Sequence, residues 1–235
     1  MNKFWNWTKD LMTNTPELVL EGEIASETWW GDEVTPKLFK DELNKYKGKD
    51  ISVWINSPGG DVIAGSQIYT MLKEHTGKVN VKIDGLAASS ASFIAMAGDT
   101  IQMSPTAMMM IHLPSTFDWG DKKDFQKTIA RLEEVEAAII NAYELKTKLP
   151  RDELAKMMED EMWMNAYRAK ELGFIDEVLY TDTEEKNQTG FDFSKKKVNA
   201  CMQNSISQIQ NKMKKVQDEI ELEKLKIEID LLSMQ

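Results

Sequence analysis

Residues 50–84 contain two β-branched runs, DISVWIN (50–56) and KVNVKID (78–84), separated by a segment of a different period. In that segment, DVIAGSQIYTMLKEHTG, apolar residues fall at positions 62, 63, 68, 71 and 72, and Gly77 closes it. β-Branched runs flanking a helical period predict strand, helix, strand, the first of them buried. No other feature constrains the chain as strongly, because strands that alternate with helices pair in a largely parallel sheet of an α/β protein, here expected with both faces covered.

The flanking sequence extends the pattern. ELVLEGEI (17–24) predicts a strand, and a helix follows with Thr35 as N-cap and Pro36 at its first position. DTIQMSPTAMMMIHLP predicts two short strands around a Ser-Pro turn, with methionines 108–110 as strand core. A long amphipathic helix over 121–148 carries apolar residues at 125, 129, 132, 135, 139, 140 and 143. A shorter helix (151–159) and AYRAKELGFIDEVLY, a helix closed by Gly173 and a last strand, complete the unit 1–182. Residues 183–200 are polar with a lysine run and read as a linker. From 201 to 235 apolar residues step by three and four, a coiled-coil-like amphipathic helix whose stripe shifts phase near Ile220.

Several function classes drop out early. A formal net charge of −10 argues against a nucleic-acid or anionic-membrane surface as partner. One cysteine, Cys201, and two histidines, His75 and His112, leave no intramolecular disulfide and no Cys- or His-rich metal site. No cofactor is expected. The start, MNKFWNWTKDLM, lacks a secretory pattern, and nowhere do about 18 apolar residues run together. A cytoplasmic protein is expected.

The residues that could carry chemistry each have a plain structural alternative. Gly59-Gly60 after INSP frees backbone N–H groups for an oxyanion, or makes an ordinary strand-to-helix turn. Ser89, in DGLAASSASFIAMAG (84–98), is a nucleophile at a helix start, or that helix's N-cap. His112, between an apolar strand and Pro114, is a general base or a structural histidine at a strand end. An acid to orient it comes from Glu159, Asp160 or Glu161 in MMEDEMWMNA, or these three form a solvated turn. His75 reads as a surface residue beside a helix C-terminus.

Together, INSPGGDVIAGSQIYTML, DGLAASSASFIAMAG, MMMIHLP and MNAYRAKELGFIDEV resemble the main blocks of the ClpP family of serine peptidases, in order, over about residues 18–180. The FWNW start, the MWMNA block and the added C-terminal helix resemble the phage and prophage branch, the head maturation (prohead) proteases. The resemblance implies a ClpP/crotonase-like spiral fold with a protruding helical handle, for which helix 121–148 is suited. It implies Ser89 as nucleophile, His112 as base, and the backbone N–H groups of Gly60 and Ser90 as oxyanion hole. The family's acid is an aspartate at the position of Glu161, a departure that keeps Asp160 as the alternative. It further implies a homo-oligomeric ring, a protein substrate such as capsid or scaffold protein, and an ATPase partner in the wider family. Two alternatives remain: an inactive ClpP-like structural subunit, and a crotonase-like acyl-CoA enzyme, which would share the fold and the oxyanion loop but not the Ser/His pairing.

Overall fold

A computed structural model describes residues 3–25 and 36–181, with side chains of the second stretch from Leu38 onward. The expected N-cap Thr35, the linker 183–200 and the helix 201–235 lie outside the described residues. The described chain runs β1 (Trp5–Lys9), β2 (Pro16–Glu21), α1 (Pro36–Asn44), β3 (Ile51–Ser57), α2 (Val62–Lys73), β4 (Val79–Ala88) and α3 (Ser90–Ala95). It continues with β5 (Thr100–Met103), β6 (Met108–Ile111), α4 (Lys122–Thr147), α5 (Arg151–Glu159), β7 (Met162–Asn165), α6 (Ala166–Glu171) and β8 (Glu177–Val178).

The sheet order is β1-β2-β3-β4-β5-β8. All pairs from β2 to β8 along this path are parallel, and β1 joins β2 as an antiparallel hairpin. The ten-residue β4 organises the rest. Its first half, Asn80–Ile83, pairs with β5, and its second half, Leu86–Ala88, pairs with β6 along the same edge. Strand β6 then carries β7 antiparallel, so the sheet branches away from its main plane. This spiral α/β architecture is the expected one.

The expectation that both faces are covered is corrected. Strands β2 to β5 follow one another in order across the sheet, and right-handed crossovers taken in a single direction place every connecting helix on the same side. Val53, Val81 and Ile101 therefore point into a core shared with Ile68, Leu72 and Ile94. Their strand neighbours Trp54, Lys82 and Gln102 are half-exposed on the opposite face. There Lys82 Nζ sits 4.8 Å from the Trp54 ring, and the Trp54 indole donates to Glu17 at 2.9 Å.

Other differences have local causes. The strand expected over 78–84 continues through Gly-Leu-Ala-Ala to Ala88, because β6 and Ser57 of β3 supply ladder partners on both edges. The helix after it is only Ser90–Ala95. Strands β1 and β7, absent from the sequence reading, are short segments that depend on an antiparallel neighbour. Helix α4 begins with a capping box between Asp121 and Asp124 and ends at Lys148, whose φ is +61°. Its apolar stripe is buried only at the base, at Ile139, Ile140 and Tyr143, while Phe125 and Ile129 are exposed. The outer half projects as a handle.

Tyr143 ties that base to the core. The Ser92 hydroxyl donates to the Ser89 carbonyl at 2.5 Å, so at 2.7 Å the Tyr143 hydroxyl donates to Ser92. Burial pushes the Tyr143 phenol well above its ordinary value of 10.0. A phenol kept neutral by the fold contributes fully below the unfolded value, and that contribution declines as pH rises past it. Urea unfolding of Tyr143→Phe is expected to show a loss of about 1 kcal/mol at neutral pH. Above about pH 10 the wild type loses stability faster than the variant, and parallel curves there would contradict the burial argument.

Candidate active site

Ser89 stands between β4 and α3 with φ +53° and ψ −124°. A positive φ is costly for a serine and persists only where surrounding bonds enforce it. Here its N–H donates to the Met110 carbonyl at 3.0 Å and its own carbonyl accepts from the Ser92 N–H and hydroxyl. Its side chain makes no capping bond to α3, which removes the N-cap alternative. The hydroxyl instead lies 2.8 Å from Nε2 of His112. The small residues of this stretch allow close packing, since a Cβ on Gly65 of α2 would come within 3.1 Å of the Ser90 Cβ and 2.9 Å of the Phe93 ring.

His112 follows the last residue of β6, and the β4–β6 pairing brings that strand end to Ser89. Both side chains are half-buried, so the pair stays reachable. His75 lies just past α2, half-buried, with Nε2 at 2.7 Å from the Lys49 carbonyl. It borders a cavity of about 300 Å³ with Asp50, Lys73 and Asp99, at the end of the strands opposite Ser89.

The glycine pair is built into the site. Gly59 has φ +93°, and a Cβ there would lie 2.6 Å from both the Ala88 carbonyl oxygen and the Ser89 Cβ. Gly60 has φ +147°, and its Cβ would lie 2.0 Å from the Ile24 carbonyl oxygen. Ile24 bridges this loop: its N–H donates to the Gly59 carbonyl at 2.8 Å, and its carbonyl accepts from Asp61 at 2.7 Å. Because residues 59 and 61 make both bonds, the N–H of Gly60 itself points to the other side of the bridge. The Ser57 hydroxyl braces the turn, donating to the Gly22 carbonyl at 2.6 Å and accepting from the Gly59 N–H at 3.1 Å. The Ser90 N–H opens α3 and has no helical acceptor. Among the described residues neither the Gly60 N–H nor the Ser90 N–H has a backbone acceptor.

None of the three candidate acids bonds His112, and Glu159 pairs with Lys156 at 3.0 Å. Asp160 pairs with Lys156 at 2.9 Å in solvent. Glu161 accepts from the Trp163 indole at 3.2 Å. The structure brings together Ser89, His112, Gly60 and Ser90, and it leaves Glu161 and Asp160 without a bond to the imidazole. Ser57, Ser92, Tyr143 and Ile24 support the site and were given no role: Ser57 and Ser92 lie inside motif blocks, but only the fold pairs them with Gly22 and Tyr143, and Tyr143 and Ile24 act through contacts distant in sequence.

A serine bonded to a histidine and held in a strained turn is the pairing that a serine hydrolase uses. The Clp protease family model matches residues 4–182. The chain is 31% identical over 176 residues, 69% of its length and 92% of the relative's, to the ATP-dependent Clp protease proteolytic subunit 1 of Chlamydia pneumoniae. It is 35% identical over 134 residues to the ATP-dependent Clp protease proteolytic subunit of Bacteroides fragilis, covering 56% of this chain and 65% of the relative. The chain belongs to the Clp protease family and is a serine peptidase.

Proposed function

We propose that residues 1–182 form a serine endopeptidase in which Ser89 is the nucleophile and His112 the general base. The observation that carries this is the 2.8 Å bond from Ser89 to His112 Nε2, made by a serine at φ +53° whose hydroxyl caps nothing. As Ser89 Oγ bonds to a peptide carbonyl carbon, its proton passes to His112 Nε2. The carbonyl oxygen takes the negative charge and lies against the N–H groups of Gly60 and Ser90. When the C–N bond breaks, His112 returns the proton to the leaving amine. Water, deprotonated by the same imidazole, then releases the acid from Ser89.

The proposed setting is phage head maturation, with capsid or scaffold protein as substrate and a homo-oligomeric ring as the working form. Support comes from the aromatic FWNW start, the MWMNA block and the appended C-terminal stretch. The relatives named above are called ATP-dependent subunits, which favours an ATPase partner instead. The proposed location is the host cytoplasm or the assembling prohead. Among the described residues no helix is long and apolar enough to cross a membrane.

Incubation with the capsid or scaffold protein encoded beside it, read by intact mass, tests the setting. Discrete fragments are expected with wild type and not with Ser89→Ala. An intact capsid protein alongside cleavage of small peptides would move the substrate elsewhere while keeping the chemistry.

A further inference from the structure

Strands β6 and β7 are antiparallel, with Met109 opposite Met164, Met110 opposite Trp163 and Ile111 opposite Met162. His112 and Glu161 are the next residues beyond the last pair, Ile111 with Met162, one on each side of the ladder's end. Alternation then sorts the side chains by face. Met109, Ile111 and Met164 are buried on one face. Met110 and Trp163 share the other, and His112 and Glu161 lie just past its end; His112 is half-buried and Glu161 and Trp163 are exposed. Glu161 leaves α5 with φ +49°, and its Oε1 accepts from the Trp163 indole N–H at 3.2 Å. Among the described residues its second oxygen has no partner, and neither has Nδ1 of His112.

We propose that Trp163 is a positioning residue for Glu161: its indole N–H fixes one carboxylate oxygen and leaves the other for Nδ1–H of His112. This rests on the assignment of Ser89 and His112 above. Glutamate has one more rotatable bond than aspartate, so a carboxylate at this position needs a second anchor to hold one geometry. The indole is suited to supply it. It is a donor with no competing acceptor, and its strand is pinned by the β6–β7 ladder. Trp163 acts on the serine only through Glu161 and His112.

The test measures acylation of Ser89 by a fluorophosphonate in the full-length protein, with kinact separated from KI. Trp163→Phe is expected to lower kinact on the order of 10-fold with KI unchanged, the scale of a misplaced catalytic group. In a Glu161→Ala background the same change is expected to do nothing further. Trp163→Gln carries an N–H donor the same number of bonds from Cβ, so its kinact is expected to exceed that of Trp163→Phe. Equal losses in both backgrounds, or a Phe variant better than the Gln variant, would make the role one of packing and overturn the proposal. A Ser89 adduct formed equally fast in Trp163→Phe overturns it alone. Absence of a Ser89 adduct on the wild type overturns the Ser89–His112 assignment and this proposal with it.

Discussion

Ser89→Ala is expected to lose the fluorophosphonate adduct completely and to slow peptide hydrolysis on the order of 10⁴- to 10⁶-fold, as loss of a serine nucleophile does elsewhere. The reagent reports the proposed chemistry directly: an Oγ–P bond forms, the P–F bond breaks, and His112 takes the proton. Other serines are poor substitutes. Ser90 and Ser92 are both buried, and Ser92 already donates to the Ser89 carbonyl. The fold should tolerate the change, because among the described residues the Ser89 hydroxyl bonds only His112 while the strained backbone is held by Met110 and Ser92. Thermal unfolding within a few degrees of wild type is therefore expected, in keeping with about 1 kcal/mol or less. His112→Ala should fall nearly as far, and the double variant no further, since the two residues act as a unit. An adduct retained by Ser89→Ala would place the nucleophile elsewhere. A wild type that forms none would favour an inactive Clp-like subunit or a crotonase-like enzyme.

The order of elements was legible where sequence period and burial coincide. DISVWIN and the helix after it were readable because β3 is a largely buried β-branched run and α2 has one buried side, at Ala64, Ile68 and Leu72. Short elements were not. β7 is four residues long and exists because β6 pairs with it, a cause no local window contains. The GLAA segment was read into a helix start, although its small residues serve a strand wedged between β3 and β6. The open sheet face was also missed, since it depends on the direction in which successive crossovers step. In the site, Ser89 and His112 were legible from motif blocks, and the structure adds the bond between them. The acid was not settled, because a glutamate in place of an aspartate changes reach in a way spacing does not express. The indole that meets it was invisible for the same reason.

Gly60→Ala tests whether the loop is an oxyanion device or merely a turn. Two costs fall on this residue: a φ of +147° that alanine avoids, and a Cβ placed 2.0 Å from the Ile24 carbonyl oxygen. The second cannot be relieved by a side-chain rotation, because Ile24 meets the loop with its backbone on both sides of Gly60. The bridge must open, and the Gly60 N–H moves away from Ser89. Losing one preorganised donor slows acyl transfer about 10²- to 10³-fold, mainly in kcat. Stability should also fall, by about 1 to 3 kcal/mol for the strained backbone. Gly48→Ala separates the two effects. Gly48 has φ +77° with nothing within 4 Å of its would-be Cβ, and it lies in the turn after α1, at the opposite end of β3 from the Gly59-Gly60 loop. It should show the strain alone, about 1 kcal/mol, with kcat unchanged. If Gly60→Ala loses stability but keeps kcat, the amide is not a transition-state donor, and the two glycines are there only to let the chain pass Ile24 and Ser89. If kcat falls while KM holds, the bridge to Ile24 is what aims the donor, and the GG pair is catalytic through its backbone.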